Sequence, residues 1–130
     1  MNIDDGDILE LGELVLRCKK IIDNEWDCLA VVYDTGEGHI ANSGFIYKDE
    51  VVSPVTTKIE NSPLLLGDKI LAFREKIYEE CGHKFKQLLI QMESETNRIK
   101  IDFEFDDPER WSIKPAKLKE MREKLRPSFS

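Results

Sequence analysis

The stretch Ile99 to Trp111, IKIDFEFDDPERW, constrains this chain more than any other. Ile99, Ile101, Phe103 and Phe105 alternate with Lys100, Asp102, Glu104 and Asp106. Strict alternation over this length specifies a half-buried β-strand, because successive side chains leave opposite faces of a sheet. The apolar face requires a core. The other face then carries three carboxylates, Asp102, Glu104 and Asp106, spaced roughly 6.5–7 Å apart by two residues of strand rise. Asp107-Pro108 ends the strand, since proline offers no backbone N–H to a ladder and holds the residue before it extended. Trp111 follows closely enough to fold back over the strand's end.

The remaining segments supply the partners such a strand needs. Asp7 is placed to cap a first helix, in which Ile8, Leu9, Leu11, Leu14, Val15, Cys18, Ile21 and Ile22 make a broad apolar stripe ending at Asp23-Asn24. Trp26 to Tyr33 reads as a strand, closed by a glycine-containing turn at Asp34 to Gly38, and His39 to Tyr47 as its return, with Gly44 marking a bulge or a close backbone approach. Lys48 to Pro63 is a polar connection with a short edge strand around Val51–Thr57, where an edge tolerates Pro54. Leu64 to Cys81 is a second helix, stopped by Gly82; Phe85 to Met92 is a strand with Leu88, Ile90 and Met92 on one face. A last helix starts at Pro115 with Leu118, Met121 and Leu125 as its apolar seam.

The order α-β-β-(β)-α-β-β-α specifies an α+β fold: a single domain over residues 1–130, with an antiparallel sheet of about four to five strands and helices mainly on one face. Its other face, bearing the acidic row, is expected to be open or thinly covered.

Composition narrows the function classes. The chain has 130 residues and a net charge of −7, and that charge is unevenly spread. Lys114 to Arg126 holds six basic residues and two acids, leaving 13 basic and 24 acidic groups before it. An acidic body repels phosphates, which argues against direct nucleic-acid binding, and attracts a basic protein. No apolar run approaches the ~20 residues of a membrane span. The acidic start MNIDDGDILELGEL has no leader-like basic region, so a cytoplasmic location is expected. Cys18, Cys28 and Cys81 read as free thiols of a reducing compartment.

The acidic row has three readings: a solvated strand face, a docking surface for a basic protein, or oxygen ligands for Mg²⁺ in a small hydrolase using Asp102, Glu104, Asp106 and Asp107. The last lacks a phosphate grip and a defined base. Trp26 and Trp111 suit either a core edge or an aromatic anchor in an interface. His39 stands alone, and Cys81-Gly82-His83 is too short of ligands for zinc. No GxSxG, P-loop, dinucleotide glycine signature or HExxH is present. No catalytic, cofactor-binding or metal-binding residue is therefore assigned. The candidate contacts are Asp102, Glu104, Asp106, Asp107 and Trp111.

In its order of pieces the chain resembles the YezG-like immunity proteins, which include antitoxins of polymorphic and contact-dependent growth inhibition toxins. An N-terminal helix leads into Asn24-Glu25-Trp26, then a strand ending Gly44 to Tyr47, a helix with Phe73-Arg74, and a strand pair. The acidic-aromatic strand Asp102 to Asp106, the Asp107 to Trp111 ending and Leu125 to Pro127 complete the likeness, with Phe105 where the pattern has tyrosine. The resemblance spans roughly Ile21 to Pro127. It implies a non-enzymatic cytoplasmic inhibitor whose partner is a cognate toxin C-terminal domain, often a basic nuclease. It does not assign contact residues; those named above come from the physics of the acidic strand. A generic acidic adaptor remains the other binding-protein reading, and a monomer is favoured.

Overall fold

A computed structural model describes residues 5–35 and 40–127. The elements are α1 (Asp5–Leu16), α2 (Lys19–Ile22), β1 (Cys28–Asp34), β2 (Ala41–Lys48), β3 (Val51–Val55), α3 (Leu65–Cys81), β4 (Gln87–Glu93), β5 (Arg98–Glu104), a 3-10 turn at Pro115–Lys117 and α4 (Leu118–Lys124). The strands form one sheet in the order β3-β2-β1-β4-β5, with every neighbouring pair antiparallel. The α+β architecture read from the sequence is the one observed. Glycines 36 and 38 of the first hairpin, and His39, lie outside the described residues. Among the described residues no helix is long and apolar enough to cross a membrane.

The main core lies on the face covered by α1, α2 and α3. Leu29, Val31 and Tyr33 of β1 and Leu88, Ile90 and Met92 of β4 meet Leu11, Leu14 and Val15 of α1 and Leu66, Ile70, Phe73 and Ile77 of α3. Ile99, Ile101 and Phe103 of β5 pack against the same core, as the alternation requires. Phe103 sits 5.3 Å from Phe85 and 5.8 Å from Phe73, centroid to centroid, within the range of favourable aromatic pairs.

Of the two expectations for the opposite face, open or thinly covered, the structure shows a cover. Ala30, Val32, Phe45, Tyr47 and Leu89 are covered there by Trp111, Met121 and Leu125. This second core accounts for β1, whose CLAVVY run is apolar on both faces because both are buried. The first helix is also shorter than its apolar stripe. The chain turns at Cys18, which is extended (φ −69°, ψ 137°), and the Lys19 N–H leaves the helix ladder to donate to the Lys58 carbonyl. The bend buries Cys18 and Ile21 and leaves Ile22 exposed. The helix begins at Asp5, so Asp7 lies in its first turn, where it pairs with Lys76 rather than capping the chain end.

Two glycines do what their positions suggest. Gly82 caps α3 in the left-handed region (φ 79°). Gly44, opposite Val31 in a continuous register, marks a close approach rather than a bulge: a Cβ there would lie 2.3 Å from the Ala30 carbonyl oxygen. Gly44→Ala is therefore expected to cost about 1–3 kcal/mol through forced separation of β1 and β2. Urea denaturation checks this; an unchanged midpoint would show that the strands separate freely.

Candidate functional site

The acidic strand runs along one edge of the sheet. In β5, Lys100, Asp102 and Glu104 stand opposite Gln91, Leu89 and Gln87 of β4. Their side chains project on the α4 side, but the cover formed by Trp111, Met121 and Leu125 lies over residues of β1, β2 and β4. Lys100 and Asp102 are consequently about half exposed, with their charged groups 3.8 Å apart.

Glu104 is built differently. Its Oε2 accepts the backbone N–H groups of Asp106 (3.0 Å) and Asp107 (3.2 Å), and its Oε1 accepts from the Arg110 guanidinium at 3.0 Å. Its side chain is only 13% exposed. The two backbone donors, followed by Arg110, hold the Glu104 carboxyl below the ordinary glutamate range. Asp107 Oδ1 in turn accepts the Glu109 N–H at 2.9 Å, a local turn that follows from Asp-Pro. Lys114 pairs with Glu109 further along the same connection. Asp106 and Asp107 stay exposed at the apex, with no ion-pair partner among the described residues.

The far end of this connection is anchored by Gln87. Its Oε1 accepts the Trp111 backbone N–H at 2.8 Å and its Nε2 donates to Ser112 Oγ at 3.1 Å. Trp111 is 5% exposed, and Arg110 stacks over its ring at 4.9 Å. An indole so enclosed has no free face for a partner, so the expectation of Trp111 as a contact residue is corrected: it shapes the loop and plugs the second core. Trp26 is likewise half-buried against the main core.

Sequence reasoning missed the amides. Gln87 and Gln91 alternate with Leu88 and Ile90, as solvent-facing residues would, yet both are buried. Gln91 Nε2 donates to the Leu125 carbonyl at 3.0 Å, and Tyr47 Oη donates to the Arg122 carbonyl at 2.9 Å. Arg126 lies over the Tyr47 ring, and burial pushes that phenol's pKa upward. The only signal available in the sequence was a pair of glutamines where a wet strand face more often has charges.

The set Asp102, Glu104, Asp106, Asp107 and Trp111 is therefore contiguous but divided in role. Among the described residues no three His, Cys, Asp or Glu side chains form a group able to hold a metal ion. Burial pushes the Cys18 thiol up to about 11, as for an inert core cysteine. Cys81 and His83 border a hollow with Phe105 and Asp106, and the Cys81 thiol is engaged with the His83 carbonyl. No family model matches the chain, and no curated protein matches it in sequence.

Since the Glu104 pKa is lowered on folding, the stability it contributes is complete above its unfolded value and disappears as pH falls through the folded one. Glu104→Gln is expected to lower hydrogen-exchange protection of the Asp106 and Asp107 amides at neutral pH. Wild-type protection should begin to fall as the pH drops below the ordinary glutamate value of about 4.3 and reach the variant's level only below the lowered value of the folded state. Equal protection in the two proteins at neutral pH would show that the carboxylate does not hold the loop.

Proposed function

We propose that the chain is an immunity protein: a stoichiometric, non-enzymatic cytoplasmic inhibitor of a cognate toxin domain. The partner is a basic nuclease of a contact-dependent growth inhibition or related polymorphic toxin system. The observation that carries this reading is the acidic loop. Asp106 and Asp107 are exposed without ion-pair partners among the described residues, on a backbone pinned at one end by Glu104 and at the other by Gln87. A nuclease that grips phosphate presents cations, and fixed carboxylates steer such a surface inward at little ordering cost. The net charge of −7 and the resemblance to YezG-like proteins support the same reading.

A metal-dependent hydrolase on these carboxylates has less support. Both Glu104 oxygens already accept hydrogen bonds, three in all, which a metal would have to displace. A general acidic adaptor would use the same surface and differ only in partner, so partner identity decides between them.

The test is co-expression with the toxin domain encoded beside this reading frame, scored by survival and by co-purification at low and high salt. Rescue with a salt-sensitive complex is the expected result. Asp106→Lys combined with Asp107→Asn is expected to leave the melting temperature within a few degrees. It should slow association about tenfold or more at low salt, with the difference shrinking at high salt. Unchanged association would move the contact off this loop. Absence of both rescue and binding would remove the immunity reading.

A further inference from the structure

The two edges of the sheet are unlike. β3 has five residues and carries Pro54, which offers no N–H to a further strand. β5 has seven residues and no proline. At the two ends of β4, the Thr35 N–H donates to the Lys86 carbonyl and the Ser94 N–H to the Asp27 carbonyl, so its even-numbered residues bond to β1. The odd-numbered ones then bond to Arg98, Lys100, Asp102 and Glu104. The N–H and C=O groups of Ile99, Ile101 and Phe103 therefore point away from the sheet, and among the described residues no backbone group outside it bonds to them.

We propose that β5 pairs antiparallel with β5 of a second copy about a two-fold axis at Ile101, joining two sheets into one of ten strands. In this register Ile101 faces Ile101, Ile99 faces Phe103, and every outward backbone group meets another. On the opposite surface Lys100 of each copy faces Asp102 of the other, and Arg98 faces Glu104. The Lys100–Asp102 pairs carry the charge matching: these two side chains are about half exposed and 3.8 Å apart, at the limit of contact within their own chain, whereas Glu104 is mostly buried and held by Arg110. Shifting the register by two residues preserves the hydrogen-bond phase but sets Lys100 against Lys100 in one direction and Asp102 against Asp102 in the other. Like charges directly opposed on neighbouring strands repel. The charge order of β5 is thus self-complementary in one central register and repulsive in both adjacent ones.

The neighbouring surface suits the same occupant. α1 crosses β5, and its Leu9 (59% exposed) and Leu16 (38% exposed) border an open hollow with Met92 and Ile99. In this register Ile99 faces Phe103 of the second copy, so the hollow of each copy lies beside the Phe103 end of the other's strand. The inference is independent of the immunity reading, and it replaces the monomer favoured from sequence. It leaves Asp106 and Asp107 outside the paired strand.

Sedimentation equilibrium of the full chain over a wide concentration series tests it. Wild type is expected to dimerise. Lys100→Asp and Asp102→Lys, each placing like charges opposite one another, should each weaken the dimer about tenfold or more. The double variant Lys100→Asp/Asp102→Lys restores both pairs and should restore association. An equimolar mixture of the two single variants should do the same, forming a heterodimer. Circular dichroism melts check that each variant folds; if one single variant fails to fold, the double variant decides. A wild type that stays monomeric overturns the proposal. So do single variants that associate as tightly as wild type, or a double variant that remains weakened.

Discussion

The Gln87 carboxamide, entirely buried, is the contact on which the far side of the molecule rests. A buried amide must find partners, because each donor or acceptor left unsatisfied costs about 1–3 kcal/mol. Gln87 finds them in the Trp111 N–H and Ser112 Oγ, both on the connection that leaves β5. Across the strand pair it stands opposite Glu104, which holds the start of that same connection. Carboxylate and amide together fix both ends of one loop. The loop then delivers Trp111 onto Leu89 and its neighbours, and the chain continues over the sheet to seat α4. Gln91 repeats the device two pleats further on, donating to the Leu125 carbonyl. Among the described residues no buried side-chain nitrogen or oxygen lacks a partner, so the polar clamps of this second face are complete.

That device marks the limit of what the sequence discloses. β5 was legible to within two residues because alternation of Ile99, Ile101 and Phe103 with charges admits one geometry; it ends at Glu104, two residues before the expected stop, where the Glu104 carboxylate takes the Asp106 and Asp107 amides. α3 was legible because Leu66, Ile70, Phe73 and Ile77 share a stripe and Gly82 closes it. The second core was hidden for a physical reason. A strand side chain reads as wet when it is polar, and Gln87 and Gln91 are polar yet buried through bonds to residues more than twenty positions away. The three-residue seam of the final helix likewise gave no sign of what it would meet; Met121 and Leu125 are buried and Leu118 stays exposed. Local periodicity reports which face is apolar, while the partner that covers it is a property of tertiary structure.

The acidic row shows the same division at the candidate site. Read along the strand, Asp102, Glu104 and Asp106 are equivalent carboxylates two residues apart. Read in three dimensions they are three different groups. Glu104 spends its charge on its own backbone and on Arg110, so its field toward solvent is largely answered within the chain. Asp102 is partly answered by Lys100 at 3.8 Å. Asp106 and Asp107 keep their charge toward solvent. A count of carboxylates overstates the acidic surface here, and the loop, not the strand, carries what remains of it.

This separation bears on how one short strand can serve both a loop and a neighbour. Two copies each carrying −7 repel one another in general, which opposes any association that the local surface does not favour. β5 does not add to that repulsion: Arg98 and Lys100 balance Asp102 and Glu104, so the strand itself is neutral, and the uncharged β3 at the other edge is blocked by Pro54. Association is therefore least resisted along this edge, and there only in the register that sets unlike charges opposite one another. Because the axis passes through the middle of the strand, the acidic loops that follow Glu104 leave the paired strands at opposite ends. In the proposed pairing each copy keeps Asp106 and Asp107 clear of the seam, so pairing through the edge would not compete with the binding proposed for the loop.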